Sequence, residues 1–191
     1  MIQHLTRGNI IGKGKRGIVY KGFYGRRRCA IKITNTNSTA IGRIAIEAEW
    51  LQKLNKKKIG PTYYTSDKTT LVMEYLDGVH LSVYLKTETP AKKEDILRQI
   101  FDQCSIMDRM NVNKFEMHSI TKNAIVVKNK VTLIDFERCK HTEDPKNVTQ
   151  FCQFLRKQGY GKNTKEILRA LKLYKEQRTI KERNALRRLF F

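Results

Sequence analysis

The chain has 191 residues, with 39 Lys+Arg against 18 Asp+Glu, a formal net charge of +21 with histidines neutral. A hydrophobic fraction of 40% excludes wholesale disorder, and at about 100–200 residues per domain the length predicts one strongly basic domain over residues 1–191. The apolar runs are short, as at Ala124 to Val127, whereas a bilayer span needs about 20 residues, so no membrane span is expected.

The opening MIQHLTRGNI lacks a charged start followed by an apolar stretch, so no secretory leader and a cytosolic location are expected. Ile10-Ile11, Gly17 to Phe23 and Cys29 to Ile33 are short apolar runs between glycines and basic turns, which predicts antiparallel strands. A polar break follows at Asn35-Thr36-Asn37-Ser38-Thr39. From Ala40 to Leu54 the pattern changes to helix, with Ile44, Glu47, Ala48, Leu51 and Leu54 on one face. After the Gly60-Pro61 turn, Leu71 to Tyr75 predicts another strand, and Asp77-Gly78-Val79-His80 marks a second break. Ile96, Ile100, Gln103-Cys104 and Met107 recur at helical spacing behind Lys92-Lys93-Glu94-Asp95, predicting one long helix. Ala124 to Val127 and Val131 to Ile134, separated by Lys128-Asn129-Lys130, predict a hairpin. Thr164 is the expected N-cap of a basic helix to Phe191 that packs Ile167, Leu168, Leu171 and Tyr174. Strands dominate first and helices second, an α+β order. Cys29, Cys104, Cys139 and Cys152 lie far apart with no Cys-x-x-Cys pair, so they read as reduced, buried small hydrophobes.

Charge is uneven along the chain: residues 1 to 60 carry +12, residues 61 to 120 carry −2 and residues 121 to 191 carry +11. Basic ends of this kind attract polyanions such as ATP, RNA or an acidic protein, although a solvated Lys/Arg face has the same composition.

Three motifs carry chemistry. Gly12-Lys13-Gly14-Lys15-Arg16-Gly17-Ile18-Val19 places three glycines between strand-like segments, where a backbone without Cβ atoms can approach phosphates. A dinucleotide turn would open a helix there, but strand-like residues continue to Tyr24. Lys32, in Cys29-Ala30-Ile31-Lys32-Ile33, is flanked by apolar residues and needs an anionic partner. Glu47 on the buried helix stripe supplies one, with Glu49 as the alternative. Asp135 ends the apolar run Leu133-Ile134-Asp135-Phe136-Glu137, and Asn123 lies twelve residues upstream; both are hard oxygen donors of the kind Mg²⁺ takes.

Taken in order, GKGKRGIVY, AIKI, IEAEWLQKLN, LVMEYLDG, EMHSITKN and LIDFERC resemble the protein-kinase-like superfamily from about Thr6 to Leu155, in particular a small archaeal serine/threonine kinase family near the RIO-type atypical kinases. The resemblance implies an α+β, two-lobed protein-kinase-like fold with a β-rich N-lobe over about 1–76 and a shortened α-helical C-lobe over 77–163, followed by the basic helix at 164–191. It also implies an ATP- and Mg²⁺-dependent phosphotransferase acting on an unknown protein and on itself. Gly12, Gly14, Gly17 and Val19 would close over the nucleotide. Lys32 would hold its phosphates, oriented by Glu47, and Asp135 and Asn123 would hold the metal. Tyr75 and Leu76 would form the hinge on adenine, with Met73 gating the pocket behind.

The departures are equally specific. Counting back from Asn123, the histidine, arginine and catalytic aspartate of a kinase loop fall on Glu116, Met117 and His118. His118 or Glu116 would then accept the substrate proton, or neither would, leaving a nucleotide-binding pseudokinase with RNA or ribosome contacts. Glu137 replaces the usual glycine, which restricts the backbone there, and no Ala-Pro-Glu follows. Asp-Phe-Glu also resembles the metal motif of choline- and lipopolysaccharide-type kinases, so a small-molecule or lipid-headgroup substrate stays open.

Overall fold

The computed structural model describes residues 2–14, 17–35 and 42–191. Two compact units divide the chain, Met1–Asp77 with Thr132–Arg138 and Gly78–Val131 with Cys139–Phe191.

In the first unit five strands, β1 (Leu5–Lys13), β2 (Gly17–Tyr24), β3 (Arg27–Thr34), β4 (Tyr63–Ser66) and β5 (Thr70–Glu74), form an antiparallel sheet in the order β1-β2-β3-β5-β4. Alternation sorts their side chains between the two faces. Cys29, Ile31 and Val72 are fully buried on one face, with Leu5, Tyr20, Tyr24, Ile33 and Tyr64 packed against them. Ala30 and Lys32 therefore belong to the other face, where Lys32 lies in register with Val19 and Leu71. Helix α1 (Arg43–Asn55) packs on β3, β4 and β5 and buries Ile44, Glu47, Ala48, Leu51 and Leu54, the stripe its spacing predicts. The expected break from Thr36 and helix start at Ala40 lie outside the described residues, as do Lys15 and Arg16 of the glycine motif. Strand β4 was not expected, because Tyr63-Tyr64-Thr65-Ser66 is a half-buried sheet edge without apolar alternation.

The second unit holds β6 (Val79–His80), α2 (Leu81–Thr87), α3 (Pro90–Arg109), β7 (Val112–Asn113), a 3-10 segment (Met117–Lys122) and β8 (Ala124–Val127). The chain then runs through β9 (Lys130–Leu133), crossing into the first unit at Thr132, and returns with β10 (Lys140–His141), α4 (Asn147–Lys157), α5 (Thr164–Gln177) and α6 (Ile180–Arg188). Helix α3 starts at Pro90, earlier than the charged residues predict, because proline suits the first turn. It buries Ile96, Ile100, Cys104 and Met107. Helix α4 was missed, although Val148, Phe151, Cys152 and Leu155 have helical spacing. The tail is two helices rather than one, since Arg178 adopts a left-handed φ of 50° between them. Asn163, not Thr164, caps α5, its side chain accepting from the Glu166 N–H. Leu168 is 56% exposed and leaves the packing stripe to Ile167 and Tyr174.

Asp108, at the end of α3, ties this unit together. Its carboxylate accepts from Asn147 N and Nδ2, Val148 N and Tyr174 Oη at 2.7–3.2 Å, joining α3, α4 and α5. All four cysteines are buried. Among the described residues, no helix is long and apolar enough to cross a membrane.

Candidate active site

Lys32 is set on β3 where Gly17 of β2 lies alongside it. A Cβ on Gly17 would sit 3.0 Å from the Ile33 carbonyl oxygen and 3.4 Å from Lys32 Cε, so glycine leaves room for the lysine stem. The Lys32 ammonium lies 2.5 Å from Glu47 Oε2, 3.3 Å from Asp135 Oδ1 and 3.8 Å from Glu137 Oε2. Glu47 is buried because it occupies the core stripe of α1, one turn before Leu51. Its other oxygen, Oε1, accepts the Phe136 N–H at 3.2 Å. Glu49, the alternative partner, is exposed.

Phe136 is buried and lies against Gly60. This packing and the hydrogen bond to Glu47 fasten the segment after β9 to α1. Arg43 Nη1 adds a long contact of 3.5 Å to the Glu137 carbonyl oxygen. Asp135 itself has a left-handed φ of 65°, a region that aspartate tolerates better than most residues. Its side chain is 43% exposed, whereas those of Lys32 and Glu137 are 13% and 9% exposed.

Burial would lower the pKa of Lys32, but Glu47, then Asp135 and Glu137, outweigh it and hold the ammonium above the ordinary lysine value. Burial pushes Glu47 upward, with the Asp135 charge adding to it and the Lys32 charge and hydrogen bond pulling back. Three carboxylates around one ammonium raise Lys32 above its ordinary value, whereas for Glu47 burial is the larger cause and the Asp135 charge adds to it. Ligand oxygens of Glu47, Asp135 and Glu137 all lie within 4.8 Å of one another, an oxygen donor set that suits a hard cation.

Other residues expected at a nucleotide border the same face of the sheet. Gly12 is in register with Val19, Val19 with Lys32 and Ala30 with Met73. The Gly14 N–H donates to the Gly17 carbonyl oxygen at 2.9 Å. Tyr75 and Leu76, half-buried, follow β5; the Tyr75 ring is covered by Lys21 Nζ at 4.6 Å and by Arg28 at 5.8 Å.

In the second unit, Glu116, His118 and Asn123 gather on and beside the 3-10 segment. Met117 and Ile120 are buried and pin it, and the Met117 N–H donates to Gln150 Oε1 at 3.1 Å. His118 is exposed between them, while Glu116 has a left-handed φ of 71°. Asn123 closes the segment through its N–H to the Ile120 carbonyl oxygen at 2.8 Å. One member of the Lys32 cluster, Glu137, is not expected from the sequence as a partner of the lysine, where it reads as a replacement for glycine and as part of the Asp-Phe-Glu motif. The available signal was an acidic residue two positions beyond Asp135 in an apolar setting.

The model of the protein kinase domain matches residues 5–180 of the chain. The chain belongs to the protein kinase family. Its β-rich first unit and helical second unit are the α+β arrangement of that fold. Among curated proteins, none matches the chain. A protein kinase domain implies a phosphotransferase that takes ATP, usually with a divalent metal.

Proposed function

We propose that this protein kinase is a serine/threonine kinase of the small archaeal, RIO-like kind, using ATP with Mg²⁺ and phosphorylating itself as well as a protein substrate. The observation that carries the reading is the single ammonium of Lys32 held between Glu47 and Asp135. In this reading Lys32 holds the α- and β-phosphates, Glu47 orients it, and Gly12, Gly14 and Gly17 allow close backbone approach. Val19, Met73, Tyr75 and Leu76 surround adenine. The carboxylate of Asp135 and the side-chain oxygen of Asn123 are the hard donors this reading assigns to Mg²⁺, which would neutralise charge developing on the phosphates.

The acceptor hydroxyl oxygen forms a bond to the γ-phosphorus, the bond to the β–γ bridging oxygen breaks, and ADP leaves. The hydroxyl proton goes to His118, with Glu116 as the alternative acceptor; exposure of His118 supports access to a protein hydroxyl. The basic ends, +12 and +11, support contact with RNA or the ribosome in the cytosol. The second reading, a small-molecule or lipid-headgroup kinase, is favoured by Asp135-Phe136-Glu137.

The test is transfer from γ-labelled MgATP to the protein itself, to basic and acidic proteins, and to a metabolite library, for wild type, Asp135→Ala and His118→Ala. Transfer to protein that is lost in Asp135→Ala is expected, with His118→Ala about 10²-fold or more slower yet still stabilised by MgATP. Transfer only to a metabolite would establish the second reading. Stabilisation by MgATP without any transfer would make the chain a pseudokinase.

A further inference from the structure

We infer that Glu137 is a positioning residue for Lys32, a second buried carboxylate that shares the ammonium with Glu47; this rests on Lys32 being the phosphate-holding group of a kinase. Glu137 Oε2 lies 3.8 Å from Lys32 Nζ, and its side chain is as buried as that of the lysine. Its backbone is delivered rigidly. The Phe136 N–H is held by Glu47, the Phe136 ring is buried against Gly60, and Arg43 reaches the Glu137 carbonyl oxygen.

Of the three carboxylates around the ammonium, Asp135 is the exposed one and the one assigned to the metal. Glu47 and Glu137 are the two buried members that remain to hold the lysine. A carboxylate therefore stands where the resemblance expects a glycine, and it places a second anchor on the segment after β9 rather than on α1. The lysine should keep its place when either anchor is neutralised and lose it when both are.

The experiment is two double-mutant cycles on the full chain. In the first, urea unfolding without nucleotide is measured for wild type, Lys32→Met, Glu137→Gln and the pair, with an expected coupling of about fivefold in the unfolding constant. In the second, phosphoryl transfer is measured for Glu47→Gln, Glu137→Gln, Glu137→Asp and the Glu47→Gln/Glu137→Gln pair. Each single Gln variant is expected to raise KM for ATP about three- to tenfold with a smaller effect on kcat. The pair should lose far more than the product of the singles, and Glu137→Asp should recover part of the loss.

Active wild type with additive Lys32 and Glu137 effects on unfolding, or with additive kinetic losses, would overturn this inference alone. Coupled unfolding in a wild type that transfers no phosphate would overturn the kinase reading and reduce Glu137 to a structural ion-pair partner.

Discussion

The main-chain N–H of Phe136 donates to Glu47 Oε1 at 3.2 Å, joining residues 89 apart in the chain. The same carboxylate meets Lys32 through Oε2, so one side chain both orients the lysine and holds the backbone beside Asp135. Glu47→Gln preserves shape, but an amide offers only one accepting oxygen where two donors now converge. We expect a loss of about 2–4 kcal/mol in urea unfolding, since the Lys32 charge loses its nearest carboxylate and keeps only one buried carboxylate, the more distant Glu137, while the Phe136 N–H competes for one oxygen. An unchanged midpoint would show that Glu47 holds neither group.

Gly60 tests the packing behind that hydrogen bond. Its φ is +83°, and a Cβ there would lie 2.6 Å from Leu51 Cδ1 and 2.9 Å from Phe136 Cε2. Gly60→Ala thus combines backbone strain with crowding and should cost about 2–4 kcal/mol. Gly25, at φ +58° with nothing within 4 Å of its Cβ, should cost only about 1 kcal/mol as alanine. Equal losses in the two variants, read by thermal unfolding, would refute the crowding argument.

The Asp108 cluster makes a parallel prediction for the second unit. Asp108→Ala removes the acceptor of two backbone N–H groups, of the Tyr174 hydroxyl and of one of the two bonds made by the Asn147 amide, and should cost about 3 kcal/mol or more. Tyr174→Phe removes one donor and should cost about 1 kcal/mol. The two losses should fall short of adding in the combined variant, because both remove the same hydrogen bond. Strict additivity would count against a shared network.

Alkaline pH should weaken the fold through buried acids. Burial holds the thiols of Cys104 and Cys152 well above their ordinary range, and burial followed by the Asp108 charge raises the Tyr174 hydroxyl. Groups raised in the folded state stabilise it below their unfolded pKa values, about 8.5 for the thiols and about 10 for tyrosine. That stability is lost as pH climbs past those values, at about 1.4 kcal/mol per pH unit for each group ionised only when unfolded. The Tm should therefore fall with increasing steepness above about pH 8.5, and less steeply between about pH 8.5 and 10 in Cys104→Ala/Cys152→Ala. A Tm level to about pH 10 would exclude the linkage.

Much of the fold was legible because its elements are periodic. The α1 stripe that buries Glu47 follows from Ile44, Ala48, Leu51 and Leu54 alone, and the three strands around the glycine motif follow from apolar runs between turns. Elements without such a signal escaped: β4 is a polar edge strand, and the tail breaks at Arg178, whose left-handed conformation no pattern of charge announces.

The order of motifs along the chain, a glycine turn, a strand lysine, a buried helical glutamate and an aspartate after a strand, was determined by the sequence by itself, since each is a local pattern of residue type and spacing. Only the tertiary structure decided that Lys32 meets three carboxylates rather than one. The contact from Lys32 to Asp135 spans 103 residues, and sheet pairing, the Phe136 anchor and the opening at Gly60 close it. Those distances depend on how side chains from three segments pack into one volume. Glu137 enters the cluster for the same reason, because its neighbour Phe136 is buried.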